Sequence, residues 1–288
     1  MSPQMRDPVV AEAEVIPLQT ADGSHTKIRI FTGGDGQGIP VAIIWPALAA
    51  EGIHAITTDH RGHGDHSVRA SRLVSFGYST LFQQEFSAVL EAAKERFPSA
   101  PLVLLGHSLG GQLSALYATK FPKACQGVVL LAPAHQDFRA WPFPKNLGLL
   151  AAGFTMQALS VLFGYFPGHK IGFGDRESRD VIGDWTRILR TGDYQPKGEP
   201  VSLKPRMAQV TLPLLTLTLA GDRLAPAAIA PKFATLFPNA PKQHVHLGRS
   251  LFEGKTPGHF RWIRKPQPVA EAIRSWLEDS KIAGEEQS

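Results

Sequence analysis

The sequence predicts an α/β fold, a mostly parallel sheet flanked by helices, with a helical cap inserted late in the chain. Three observations carry that expectation. From Ile53 onward, apolar strand-like runs alternate with helix-like runs, the pattern of parallel strands joined by covering helices. The apolar run LVLLG leads into a glycine-rich turn and then directly into a helix-like segment. The alternation stops over about 135–205 and resumes with LLTLTLAGD. A chain of 288 residues with 43% hydrophobic content can bury layers on both faces of such a sheet.

In chain order, the segment from about Ala13 to Trp45 offers the β-type runs EVIPL, KIRIF and VAIIW, separated by the turn-rich ADGS and GGDGQG. The strand AITTD follows, then a helix near Thr80 to Arg96, the strand LVLLG, a helix from Gly111 to Phe121, and the strand GVVLLAP. The interruption holds AWPFPKN, the uncharged stretch Leu147 to Phe166, and the polar helix-like run SRDVIGDWTRILR. After it come LLTLTLAGD, a helix near Ala227 to Phe237, the strand QHVHL and the amphipathic helix PVAEAIRSWLED. The expected organisation is therefore a core of residues 1–134 and 206–279, a cap over 135–205, and a frayed tail over 280–288. Leu147 to Phe166 has the length of a bilayer helix. Thr155, Gln157, Ser160 and three glycines dilute it, so a buried or lid helix is expected in place of a stable span.

Composition narrows the partners. Thirty Lys and Arg against twenty-five Asp and Glu leave +5, but the cations are scattered singly, which argues against nucleic acid. Cys125 is the only cysteine, so no internal disulfide is possible and a reducing, cytoplasmic setting is expected. The opening MSPQMRDPVVAEAEV has neither the charged start nor the apolar centre of a secretory signal.

The chemistry centres on Gly106-His107-Ser108-Leu109-Gly110, a G-x-S-x-G match between a strand and a helix. A nucleophile on so sharp a turn needs small flanking residues, and Gly106 and Gly110 are expected to meet that need. The turn aims the N-terminus of the helix at developing negative charge. A serine hydroxyl needs a base to take its proton and a carboxylate to orient that base. Asp222 ends a late strand, at the edge where parallel sheets gather ligands, and His259 lies in the loop after the next strand-like run. Glu253 is a second candidate acid. Asp184 and Asp193 fall in the cap, and His244 and His246 lie within a strand. His54, His60, His63 and His66 lack the Cys or spaced carboxylates of a zinc site, and no nucleotide-binding glycine loop occurs, so neither metal nor cofactor is expected.

Together GHSLGG, DHRGHG with Ser67 just beyond, AGDRLAP and PGHF resemble the α/β-hydrolase superfamily over about residues 10–279, closest to its esterase, lipase and serine-aminopeptidase-like branch. The resemblance implies a mostly parallel α/β-hydrolase sheet, an acyl-enzyme formed on Ser108 with His259 as base and Asp222 as orienting acid, and no cofactor. One departure stands out. The connection PALAAEGIH, residues 46–54, is shorter than the dozen or so residues a helical crossover needs. By position the oxyanion donors would be the N–H groups of Leu109 and Ala47, because Pro46 has none. Loss of one donor typically costs about 100- to 1000-fold in rate. Phe154, Leu159, Phe163 and Phe166 are candidates to contact an apolar acyl or alkyl group of a small-molecule ester, thioester or amide. Two further readings stay open: a catalytically impaired hydrolase-fold binding protein, and an acyltransferase.

Overall fold

The computed structural model describes residues 13–32, 40–42, 46–171 and 175–282. Its main sheet has the strand order β1-β2-β4-β3-β5-β6-β9-β10. The strands are β1 Glu14–Gln19, β2 His25–Phe31, β3 Pro40–Ala42, β4 His54–Thr58, β5 Val103–His107, β6 Gly127–Leu131, β9 Leu214–Leu219 and β10 Lys242–Leu247. The β1–β2 and β2–β4 pairings are antiparallel, and every other neighbour pairing in this sheet is parallel. The opening residues MSPQMRDPVVAE, the end of VAIIW and residues 283–288 lie outside the described residues.

Alternation along the strands divides the interior into two cores. Leu104 in β5 and Val128 and Leu130 in β6 face one side, with Phe82, Phe86 and Leu116 from the helices on that side. Val103, Leu105, Val129, Leu131, Leu215, Leu217 and Leu219 face the other, against the C-terminal helix Gln267–Asp279. Strands buried on both faces read as continuous apolar runs, which is why these were evident in the sequence.

Among its described residues, the short connection between β3 and β4 holds one helical piece, Pro46–Ala50. The sheet is nonetheless covered there. Leu48 and Ile53 are buried among Val269, Ala270 and Ile273 of the C-terminal helix, and Arg274 of that helix meets Glu51 at 3.1 Å.

The DHRGHG segment is a structural junction. Arg61 is buried, pairs with the fully buried Glu85, bonds Asp22 at 2.8 Å and donates to Ser24 Oγ at 3.1 Å. One guanidinium thus joins the β1–β2 turn, this loop and the helix over residues 78–96. Two of the four histidines, His60 and His66, converge on Glu85 at 3.9 and 3.7 Å, and each of the four also makes a contact of its own. His54 stacks on Phe97, His60 lies edge-on to Phe86, His63 meets Glu177 at 3.3 Å, and His66 accepts from Val68 N–H.

Between β6 and β9 the chain leaves the sheet. It forms the helix Lys145–Phe163, a two-stranded hairpin of β7 Tyr165–Pro167 and β8 Arg176–Ser178, and the helix Arg179–Thr191. Three-residue strands carry too little pattern to be read from sequence, and the hairpin was not expected. The helix near Ala227 to Phe237 shrinks to Ala230–Ala234, entered by a turn in which Pro226 O accepts from the N–H groups of Ile229 and Ala230. The Lys145–Phe163 helix is mostly exposed, so the expectation of a buried helix is corrected.

Candidate active site

Ser108 stands at the end of β5, one of the central strands, with φ 54° and ψ −118°. Its N–H donates to Leu131 O at 2.8 Å, which ties the turn to β6. A non-glycine residue at positive φ costs of order 1–3 kcal/mol and persists only where the surroundings over-determine it. The surroundings here are two closely passing backbones. A Cβ on Gly106 would lie 2.1 Å from the carbonyl carbon of Gly110, and one on Gly111 would lie 2.8 Å from Gly106 O.

Gly110, by contrast, faces open space, so the expectation that it serves close passage is corrected in favour of Gly111. The reason is rotational: in the first helical turn, position 110 points away from β5 and position 111 towards it. Gly111→Ala is expected to lower the melting temperature by about 5 °C through overpacking against backbone. Gly110→Ala is expected to leave it unchanged or slightly raised. Thermal melts of the two variants check this.

Asp222 follows β9 after Gly221, whose φ of 71° turns the chain at the strand end. Its Oδ1 accepts from the N–H groups of Leu224 and Ala225, each at 2.8 Å. Its Oδ2 lies 2.7 Å from His259 Nδ1. Burial pushes this carboxyl upward, but the His259 bond, the Ala225 N–H, the imidazole charge and the Leu224 N–H outweigh it, so it sits below the usual carboxylate range. His259 is the second residue of a short helix, Gly258–Arg261, and is buried. The loop is docked by Gly258 N–H on Ala220 O at 3.1 Å and by Trp262 Nε1 on His259 O at 3.0 Å.

The ring of His259 packs 4.5 Å from that of His107, the residue immediately before the serine. The structure thus gathers the loops bearing Ser108, Asp222 and His259 at one sheet edge. No hydrogen bond from Ser108 Oγ to His259 occurs among the described residues; such bonds are often long before substrate binds. Burial, then the nearby His259 charge, pushes His107 down to about 4. It is therefore neutral beside an imidazole that must gain a proton.

The competing candidates go elsewhere. Glu253 is exposed and pairs with Lys265 at 2.8 Å. Asp184 is buried and accepts from the N–H groups of Tyr78 and Lys197, and Asp193 accepts from Ser202. His244 and His246 both approach Thr218 Oγ1, at 2.9 and 3.0 Å. Leu109 is the first residue of the helix Leu109–Lys120, so its N–H has no acceptor within that helix. Ala47 sits in the Pro46–Ala50 turn and packs against the core with Leu48; no described contact joins it to the serine. Of the residues expected to touch substrate, Phe166 is core, Leu159 is half-buried, and Phe154 and Phe163 face solvent at 48% and 41% exposure. The expected apolar lining is corrected for Phe154 and Phe163, which point outward, while Leu149, Leu150 and Met156 of the same helix are half-buried.

Several groups here make stability pH-dependent. Burial, assisted by neighbouring positive charge, pushes His60, His66 and His107 each to about 4 from an ordinary 6.5. Their folded values lie below their unfolded ones, so unfolding takes up protons and stability falls as pH drops from about 6.5 towards 4. Glu85 is raised by burial, against the pull of Arg61, to about 7 and works in the opposite sense between its ordinary 4.5 and 7. His135 and His244 are lowered by burial as well, while His63, raised by Glu177, and Asp184, raised by burial, oppose them; five lowered histidines against three raised groups predict a melting temperature ~5 °C lower at about pH 5 than at about pH 7. Melts followed by circular dichroism test it; an equal or higher value at the lower pH contradicts it.

A family model described as serine aminopeptidase, S33, matches residues 37–175, a stretch that contains Ser108 but neither Asp222 nor His259. The chain is similar to a monoacylglycerol lipase of Mycolicibacterium smegmatis, 27% identical over 196 residues, which cover 63% of this chain and 64% of that protein. The chain therefore spans just under two thirds of that relative's length. Among solved structures it is similar to an esterase from Exiguobacterium antarcticum, with TM-score 0.57, 18% identity, and coverage of 91% of this chain and 98% of the other. It is also similar to a thermostable carboxyl esterase from Bacillus coagulans, with TM-score 0.60, 15% identity, and coverage of 93% and 98%.

Proposed function

From the premise that this chain belongs to the α/β-hydrolase superfamily, in its esterase- and lipase-like branch, we propose that it cleaves a carboxylic ester through an acyl-enzyme on Ser108. The observation that carries the reading is the buried Asp222–His259 hydrogen bond beside the strained Ser108 turn. With Nδ1 engaged by the carboxylate, Nε2 of the neutral ring is left to accept the serine proton. Ser108 Oγ then bonds to the carbonyl carbon, and the oxyanion is held by Leu109 N–H with Ala47 N–H as the second donor.

Collapse of that intermediate breaks the ester C–O bond, and His259 returns its proton to the departing alcohol. A water molecule, deprotonated by the same ring, attacks the acyl carbon and releases the acid and the free serine. Residues 135–205 act as the cap over this site, and the substrate is a small molecule with an apolar acyl or alkyl group, as the lipase and esterase names of the relatives suggest. The single cysteine, Cys125, is buried and its thiol is pushed up to about 12 by burial, which fits a structural role in a cytoplasmic protein.

The short Pro46–Ala50 connection favours one alternative, a hydrolase fold that binds ligand and turns over poorly. A fluorophosphonate probe separates the two. Stoichiometric labelling at Ser108, with turnover across an ester panel of graded acyl length, supports the hydrolase. A folded protein that stays unlabelled supports the binding reading. Adding competing alcohols or amines to the same panel reports acyl transfer as ester or amide products in place of free acid.

A further inference from the structure

The positive charge of the chain is concentrated in one stretch. Between Arg223 and Ala270 stand eight of its thirty lysines and arginines but one of its twenty-five acids, Glu253, so the remainder carries a small negative excess. Folding gathers four of these cations, Lys255, Arg261, Arg264 and Lys265, around a cleft of about 730 Å³ in which Glu253 is the only acidic lining residue.

The loop that carries His259 sets this arrangement. Trp262 is buried and donates to His259 O, and its neighbours Arg261 and Arg264 are exposed. The two arginines end successive helical turns, Gly258–Arg261 and Trp262–Arg264, and at a spacing of three they share a side. Lys265 meets Glu253 at 2.8 Å. That bond, then the charges of Lys265 and Lys255, hold the Glu253 carboxyl below its ordinary range. The one carboxylate of the cleft is therefore engaged with Lys265. Among the described residues, no ion pair or hydrogen bond engages the side chains of Lys255, Arg261 or Arg264. Glu271, one turn beyond Gln267 on the C-terminal helix, does not line the cleft.

Charge and size decide the occupant. Cations gathered around one cleft repel one another, and a polyvalent anion relieves that repulsion. Guanidinium forks match the oxygens of phosphate groups bidentately, and a lysine adds a point charge. The volume falls in the range of roughly 300–1,000 Å³ typical of small-molecule sites. Phe252 and Pro257, both buried, supply an apolar part of the lining.

We propose that this cleft binds a small molecule through two or three linked phosphate groups, with Arg261 and Arg264 on the phosphates and Lys255 completing the charge. The wall of the cleft is the loop that holds the imidazole against its acid. A Cβ on Gly221, the residue before Asp222, would fall 2.3 Å from Thr256 Cγ2, and Gly258 N–H docks on Ala220 O. The site uses none of Ser108, Asp222 and His259, and its binding is measured without turnover, so it stands apart from the reading of the serine.

The test is isothermal titration of the full chain with tripolyphosphate at about 50 mM and about 300 mM salt. Wild type and Ser108→Ala are expected to bind one tripolyphosphate per chain with Kd below about 100 µM at the lower salt, and more weakly at the higher. Arg261→Gln combined with Arg264→Gln, at exposed positions, should keep the melting temperature and lose at least about tenfold in affinity. Glu253→Gln, which frees Lys265, should gain about two- to fivefold, an increase that a merely structural role would not produce. Lys94→Gln combined with Lys123→Gln makes the same change of charge at exposed positions outside the cleft and should leave Kd within about twofold. Adenosine triphosphate distinguishes the sources: tighter binding than tripolyphosphate assigns the cleft to an organic phosphate, equal binding to the phosphate chain alone, and either supports the site. The proposal is overturned if folded wild type shows no saturable binding, if the Arg261/Arg264 variant binds as tightly as wild type, or if the Lys94/Lys123 variant loses as much as it does.

Discussion

Ser108→Ala is expected to lower kcat/KM for a short-chain ester by roughly a million-fold, to abolish fluorophosphonate labelling, and to leave the melting temperature within a degree or two of wild type. The separation of the two effects follows from where the strain resides. It lies in the backbone, at φ 54°, and alanine meets the same penalty there as serine. The contact that holds the turn, Ser108 N–H on Leu131 O, belongs to the main chain and survives the substitution. What disappears is the only atom able to form the acyl-enzyme. Residual catalysis from oxyanion donors and binding amounts to about 10³–10⁴ over water, so the variant should be measurably slow and not inert. Retention of most of the activity in a cleanly folded variant would remove Ser108 from the mechanism.

Asp222→Asn is expected to reduce kcat by about 10⁴-fold with little change in KM or fold. The amide oxygen can still accept from Leu224 and Ala225, so the turn after β9 stays pinned. The amide nitrogen then faces His259 Nδ1 as a donor, which forces the ring proton onto Nε2 and leaves nothing to accept the serine hydroxyl proton. Loop docking through Gly258 and Trp262 does not involve the carboxylate and should keep the ring in position. Glu253→Gln is the matched comparison. That side chain is exposed and engaged with Lys265, so its loss should change the rate less than about twofold. A reversal of the two effects would make Glu253 the orienting acid and displace Asp222.

The chain announced much of this arrangement. Val103 to Leu105 and Val128 to Leu131 are apolar in unbroken runs because both faces of their strands are buried, and Leu214 to Leu219 is buried throughout with only Thr216 and Thr218 breaking its apolarity. Ser108 was legible because strand, tight turn and helix follow one another within a few residues. The order of Asp222, just past a strand, and His259, in the loop after the next one, narrowed a field of eleven histidines.

Where the reading failed, the deciding contact was made by residues distant in sequence. Which glycine permits the close passage depended on how the Leu109–Lys120 helix rotates against β5, and it is Gly111, not Gly110. The uncharged stretch after Lys145 showed its apolarity but not its orientation: docking of Gly153 on Leu189 turned Phe154 and Val161 towards solvent.

Fold class, strand order along the chain and the identity of the candidate nucleophile are local properties, written in side-chain periodicity and turn chemistry over spans of five to fifteen residues. The pairing of His259 with Asp222 in preference to Glu253, the cover over the short Pro46–Ala50 connection and the outward face of the Lys145–Phe163 helix were left to packing between segments. Such choices are settled by which surfaces exclude water together and which polar atoms find partners, and no pattern along a single segment encodes its neighbour's shape.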